Sequence, residues 1–315
     1  MNKVILDTDI GTDVDDILAL SLLLASPELQ LLGVTTAYGD TRLRAKIVHH
    51  VLAQMNLAGQ VPIAPGGPAT LNGEREIFWP GHEGKNIDAA TIPDTVMLNQ
   101  SAEDFIVETV KQHPGEITLI AIAPLANLAR AIEQDPDTMR QVKQIYMMGG
   151  VFDLSRDDLP VAEHNIVSDP EAARVVFDFG LPITLFPLDV TTRTALGPAE
   201  MARLSRAAHP LGHFLHAELV NWMPYIQARH GRDYTHMHDP LTVAALLRPA
   251  LVTQWLRTRV GIEVQGEFTV GMTVPHRGAS QAQVNVAVGV DVPAFQELFV
   301  RRVLALGTPV IAEFH

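Results

Sequence analysis

The feature that most constrains this chain is an alternation of short apolar runs with stretches of helical character, sustained over most of its length. Apolar runs at 3–6, 29–36, 61–64, 117–123, 144–148 and 183–188 have strand length, and helix-like segments at 15–25, 42–55, 101–112 and 125–133 fall among them. A further helix begins at Asp169-Pro170-Glu171, where an N-cap acid, a proline at the first helical position and an acid in the first turn agree. Strands of four to eight apolar residues separated by helices imply parallel pairing through right-handed crossovers. The expected fold class is therefore α/β, an open and mainly parallel sheet with helices on both faces. Residues 260–290 read as a small antiparallel addition before a final helix, and the glycine- and proline-rich stretch 66–95 as a long loop near a site. No linker, repeat or low-complexity segment divides the chain, so one domain over 1–315 is expected.

Composition narrows the function. With 36 acidic against 23 basic residues the net charge is −13, and no lysine/arginine cluster offers a local exception, so nucleic acid is set aside as a partner. The absence of cysteine excludes disulfides, zinc-thiolate sites and a thiol nucleophile. No run approaches the roughly 18–20 apolar residues of a membrane span, and the N-terminus lacks a secretory pattern, which together suggest a cytoplasmic protein.

The acids concentrate just past the first strand, in Asp7-Thr8-Asp9-Ile10-Gly11-Thr12-Asp13-Val14-Asp15-Asp16. In an open α/β sheet, ligands bind beyond the carboxyl ends of the strands, so a site belongs here. Two like unit charges about 4 Å apart repel by roughly 4 kcal/mol at an effective dielectric near 20, and a divalent cation relieves this. Oxygen donors without thiols or clustered imidazoles suit a hard ion, calcium or magnesium. The plain structural alternative is that some of these acids cap the following helix and meet its dipole, which accounts for one or two of them but not five.

Two enzyme families carry such a turn. The haloacid-dehalogenase phosphatases have threonine or valine at the fifth position, where this chain has Gly11; their pattern would make Asp7 a nucleophile. Asp7-Thr8-Asp9-Ile10-Gly11 and Asp15-Asp16-Ile17-Leu18-Ala19-Leu20 resemble instead the two halves of the inosine-uridine nucleoside hydrolase motif, with two extra residues between them. The likeness continues through Pro124-Leu125-Ala126-Asn127, Tyr146-Met147-Met148-Gly149-Gly150, Ala162-Glu163-His164-Asn165, Asp169-Pro170-Glu171-Ala172-Ala173 and His238-Asp239-Pro240.

This resemblance implies a calcium-dependent N-ribohydrolase acting on small-molecule nucleosides and forming a dimer or tetramer. By it, Asp9, Asp15, Asp16, Asp239 and the Ala126 carbonyl would hold the ion, and Asp9 would act as general base. His238, helped or replaced by His82 on the 81–84 loop, would protonate the leaving base. Glu163, Asn165 and Met148 would lie against the ribose; Asp13 stays ambiguous between a ribose-binding acid and a cap. Asp40 and Asp157 stand where the family has asparagine, and His164 where it has phenylalanine, so the expected sugar pocket is unusually acidic and polar. Outside the family pattern, His82 reads as a solvated loop residue, His238 as part of a helix cap, and Met148 as core. A phosphatase, or a nucleoside- or sugar-binding relative without turnover, remains the alternative.

Overall fold

The structure is a computed structural model describing residues 1–276 and 283–306. In chain order it contains β1 (Asn2–Thr8), α1 (Asp15–Leu24), β2 (Leu29–Thr36), α2 (Thr41–Gln54), β3 (Ile63–Pro65), α3 (Ala102–Gln112), β4 (Ile117–Ala121) and α4 (Ala126–Gln134). There follow α5 (Pro136–Met139), β5 (Gln144–Met148), α6 (His164–Ser168), α7 (Pro170–Phe179), β6 (Ile183–Phe186), α8 (Leu188–Thr191), β7 (Ala195–Leu196) and α9 (Pro198–Leu204). The last elements are α10 (Pro210–His230), β8 (Thr235–His236), α11 (His238–Leu247), β9 (Val252–Ile262), β10 (Thr273–His276), β11 (Val284–Val290) and α12 (Val292–Leu304).

Nine strands form one sheet in the order β10-β9-β11-β6-β5-β4-β1-β2-β3, and β7 and β8 form a separate antiparallel pair. From β11 to β3 every neighbouring pair is parallel, as the alternation of apolar runs and helices requires. Side chains of β1 alternate between two cores. Val4 and Leu6 pack with residues of α1, α2, α11 and α12, whereas Ile5 packs with residues of α3, α4 and α7. Helices thus cover both faces.

The antiparallel addition differs from expectation in one respect. Strands β9 and β10 are antiparallel to each other, but β11 pairs parallel with β6 on one side and antiparallel with β9 on the other. The late strands therefore continue the main sheet instead of standing apart from it. The expected 260–290 stretch also includes residues 277–282, which lie outside the described residues.

Chain order reverses between β4 and β1: the sequence runs outward through β2 and β3, then returns to lay β4 on the other side of β1. At such a switch point the loops leaving two adjacent parallel strands diverge and open a crevice. Here those loops are the acidic turn after β1 and the segment beginning at Ile122 after β4. Strand β4 ends at Ala121, two residues earlier than the apolar run suggests, which leaves Ile122 at that mouth.

Close packing at β2 gives a direct stability test. A Cβ at Gly33 would stand 2.2 Å from the Phe105 Cζ and 3.2 Å from the Pro62 carbonyl oxygen. Gly33→Ala must displace the Phe105 ring, with an expected loss of about 1–3 kcal/mol in urea unfolding.

Candidate active site

The acidic turn is shaped from below. Asp7, at the end of β1, is 1 % exposed; its Oδ1 accepts from Thr35 Oγ1 at 2.6 Å and from Asn127 Nδ2 at 2.8 Å. Burial first, partly offset by those bonds, pushes its pKa up to about 7. Asp7 does not line the cavity described below, so it is a girder between strands and is poorly placed as a phosphatase nucleophile. Thr8 donates to Asp16 Oδ1 and accepts from the Ile10 amide at 3.1 Å, which fixes the turn's entry. Helix α1 then starts at Asp15, so Asp15 and Asp16 occupy its first turn and meet its dipole, while Val14 stands at the N-cap with no side-chain bond. Capping does not explain the rest: the Asp239 amide donates to Asp15 Oδ2 at 3.3 Å, bringing an acid from the first turn of α11 onto the same spot.

Asp15, Asp16 and Asp239 are buried and place one carboxylate oxygen each within 4.8 Å of one another, a grouping that could hold a metal ion. Asp9 and Asp13 line the same cavity. Without an ion, burial and then mutual repulsion push Asp15, Asp16 and Asp239 well above the usual carboxylate range. Burial raises Asp9 as well, against the pull of Arg44 and His164, and pushes Asp13 up to about 7. A donor set of closely spaced, buried carboxylate oxygens fits a hard divalent cation.

These acids open into a cavity of about 600 Å³. Met148, Glu163, His164, Asn165 and His238 line it too. Glu163 caps α6, accepting from the amides of Asn165 (2.8 Å), Gly150 (3.1 Å) and Ile166 (3.3 Å), and burial still pushes its pKa up to about 7. Asn165 turns Nδ2 toward the Met148 carbonyl at 3.3 Å, which leaves Oδ1 for the cavity. His164 lies edge-on to both Tyr38 and Phe78, with ring centroids 5.9 Å apart in each case.

Four expected site residues fall elsewhere. Asp40 is exposed and caps α2 through the Leu43 amide at 2.9 Å, and Asp157 is exposed on the loop after β5; neither lines the cavity. The pocket is therefore less acidic than the sequence suggests. Ala126 begins α4 away from the cavity, whereas Ile122 lines it. The Ile122 side chain packs into the core and its amide donates to the Asp7 carbonyl at 2.9 Å, so its own carbonyl is the polar group left at the wall. His82 faces a neighbouring cavity of about 480 Å³ that shares Asp13, Pro80, Trp222 and Tyr225 with the first. Its Nε2 donates to the Thr12 carbonyl at 2.6 Å, and its ring lies 5.4 Å from both Trp222 and Tyr225.

Other lining residues escaped the sequence reading. Trp222, Tyr225, Ile226 and Arg229 come from α10, and Arg232 and His236 from the segment after it. The spacing of the first four, i, i+3, i+4 and i+7, is one helical face and was the available signal. Arg232 Nη1 donates to His236 Nε2 at 2.5 Å, which fixes the proton of the neutral His236 ring on Nδ1. Burial, then His236 and Arg232, push His238 down to about 3, and its Nδ1 lies 2.8 Å from Thr191 Oγ1. At neutral pH the His238 ring is uncharged.

The sequence profile of the inosine-uridine preferring nucleoside hydrolases matches residues 4–297. This chain belongs to that family. As a nucleoside hydrolase it is an enzyme of the class that hydrolyses N-glycosyl bonds. The pyrimidine-specific ribonucleoside hydrolase RihA of Klebsiella pneumoniae is 32 % identical over 308 residues, covering 95 % of this chain and 97 % of its own. The probable uridine nucleosidase 2 of Arabidopsis thaliana is 31 % identical over 320 residues, 96 % of this chain and 97 % of its own. Among solved structures, a plant nucleoside hydrolase superposes with a TM-score of 0.86 at 30 % identity, covering 96 % of this nucleoside hydrolase and 99 % of itself. The purine-preferring ribonucleoside hydrolase of Gardnerella vaginalis superposes at 0.80 with 29 % identity, covering 96 % and 98 %. No helix among the described residues is long and apolar enough to cross a membrane.

Proposed function

We propose that this nucleoside hydrolase cleaves the N-glycosidic bond of free ribonucleosides, with calcium held by Asp9, Asp15, Asp16, Asp239 and the Ile122 carbonyl. One observation carries the reading: the cavity that collects these acids is also lined by Asn165, His238 and the aromatic pair Trp222 and Tyr225. It thereby offers groups for sugar, base and water in one place. Bound calcium supplies Lewis-acid chemistry, orienting ribose hydroxyls and lowering the pKa of a water.

The rest is the work of the chain. Asp9 takes a proton from the attacking water as general base. The surrounding carboxylates favour the positive charge that develops on the sugar ring. Asn165 Oδ1 accepts from a ribose hydroxyl, while Glu163, committed to three backbone amides, holds the α6 entrance that positions Asn165. Trp222 and Tyr225, stacked with centroids 4.8 Å apart, give the base a flat apolar surface. His238 serves the leaving base as a neutral hydrogen-bond donor: with Nδ1 turned to Thr191, its Nε2–H is the group available to the departing ring. His238→Ala should lower kcat by about 10²-fold, in the usual range for such a group, with calcium affinity by isothermal titration unchanged.

The test is incubation of the purified protein with calcium and inosine, uridine, cytidine or adenosine, followed by assay of free ribose and free base. Release of both products from any of the four supports the reading. Silence across all four, in protein shown to bind calcium, overturns it. The relatives include enzymes named for pyrimidine and for purine nucleosides, so the panel also ranks the bases.

A further inference from the structure

Beneath the acidic turn lies a full positive charge to which no carboxylate among the described residues is attached. Arg44, on α2, is 0 % exposed, and its guanidinium goes to backbone and hydroxyl oxygens. Its Nε donates to the Tyr38 carbonyl at 2.7 Å, Nη1 to the carbonyls of Asp9 and of Ile10 (2.9 Å), and Nη2 to Thr12 Oγ1 at 2.9 Å. The Trp79 ring covers it at 4.8 Å. Burying a cation costs several kcal/mol unless its donors are satisfied, and here acceptors and an aromatic face supply that satisfaction.

Three of these acceptors belong to Asp9, Ile10 and Thr12, the stretch that launches the acids. Gly11 sits among them at φ +109°, a conformation that L side chains rarely adopt, and a Cβ there would stand 2.6 Å from Ile47 Cδ1. The turn is thus bent around the arginine. Because Arg44 grips carbonyls and not carboxylates, it contributes positive charge without using up oxygens that a cation needs. A salt bridge to the Asp9 side chain would occupy an oxygen that the ion needs; Arg44 takes only the Asp9 backbone carbonyl.

The same residue reaches a second loop. The Thr12 carbonyl accepts from His82 Nε2 at 2.6 Å, Thr12 Oγ1 approaches Glu83 Oε1 at 3.5 Å, and Glu83 Oε2 accepts from the Gly81 amide at 2.9 Å. Trp79, stacked on Arg44, comes from that loop as well, between the cavity-lining Phe78 and Pro80. Arginine alone offers five donors in a rigid fork with a face that stacks, so lysine would keep the charge and lose the geometry.

We propose that Arg44 is a positioning residue that presets the acidic turn for its cation and fastens the 79–83 loop to that turn. The inference rests on the reading that these acids hold a divalent ion, and its test separates the two. Calcium alone is titrated calorimetrically into metal-stripped wild type, Arg44→Lys, Arg44→Met and Thr12→Val, with folding checked by circular dichroism. Loss of a partner just outside the ligands commonly weakens metal binding about 10- to 100-fold, and that is the expected effect for both Arg44 variants. A merely structural arginine would lower the melting temperature equally with and without calcium; a positioning one also shrinks the rise that calcium produces. Folded Arg44→Lys binding calcium as tightly as wild type would overturn the inference and leave the cation reading standing. Wild type that binds no calcium would remove both. Should the Arg44 variants fail to fold, Thr12→Val decides: a weakening of about 3-fold or more, on the same principle, supports the clamp, and unchanged affinity refutes it.

Discussion

Asp9→Ala is expected to reduce ribose release by about 10³-fold or more while the protein stays folded. A general base alone contributes typically 10²–10⁴-fold, and in our reading Asp9 has a second task as a cation ligand, so the loss should fall in the upper part of that range. Asp9→Asn separates the tasks. The amide keeps an oxygen for the ion but cannot accept a proton from water, so turnover should fall nearly as far with calcium affinity less affected. The fold should tolerate both changes, because the Asp9 group that Arg44 grips is its backbone carbonyl. The readout is kcat for ribose release beside a calcium titration. Asp9→Ala retaining a tenth or more of wild-type turnover would show that another group takes the proton.

The second large effect is metal removal. Stripped of cation, the protein should be inactive and less stable, and calcium should restore both. An ion present at about 100 times its dissociation constant adds roughly 2.7 kcal/mol to the folded state, about 5 °C in melting temperature for a chain of this size. The pH dependence has a definite sign. Asp7, Asp13 and Glu163 have folded-state pKa values pushed up to about 7 by burial, above their ordinary values of 3.8, 3.8 and 4.5. Each contributes stability that is fully present below the ordinary value and lost as pH rises through about 7. His236 and His238, pushed down to about 4 and about 3, act in the opposite sense: their contribution is present above about 6.5 and lost as pH falls toward the lowered values. The informative quantity is therefore the difference between melting temperatures with and without calcium, in which the histidine contributions largely cancel. Calcium can occupy the acids only as protons leave, so this difference should grow from pH 5 to pH 8. A difference that stays flat or shrinks over that interval would show that these acids do not hold the ion.

Those acids were visible in the sequence because so many charges just past a buried strand have no simple structural use. The parallel sheet was visible for a similar reason: apolar runs and helix starts are local signals. Asp169 accepts from the Ala172 amide at 3.1 Å, just as its sequence neighbourhood implies. What stayed hidden depends on geometry that side-chain identity does not report. A backbone carbonyl such as that of Ile122 has no residue-type signature, and its place at the cavity wall, where Ala126 is not, follows from where β4 stops. Asp40 and Asp157 look like sugar-contacting residues because a loop acid reads alike whether it caps a helix or meets solvent. Helix α10 was obscured by Pro224 in its interior, and by aromatic and basic residues that line a cavity where a core stripe would be apolar. The double role of β11, parallel to one neighbour and antiparallel to the other, is a property of chain path that apolar runs cannot encode.

The contact between Asp15 and the Asp239 amide joins residues 224 positions apart. During synthesis the N-terminal acids leave the ribosome long before their partner exists, and at some 5–20 residues per second the wait lasts roughly ten seconds or more. Through that interval no α11 covers these carboxylates, which stay open to water and free to keep their charge in it. The arrival of α11 brings Asp239 onto Asp15 and Asp16 and completes the buried group. On the cation reading proposed above, ion capture waits until Asp239 has joined Asp15 and Asp16.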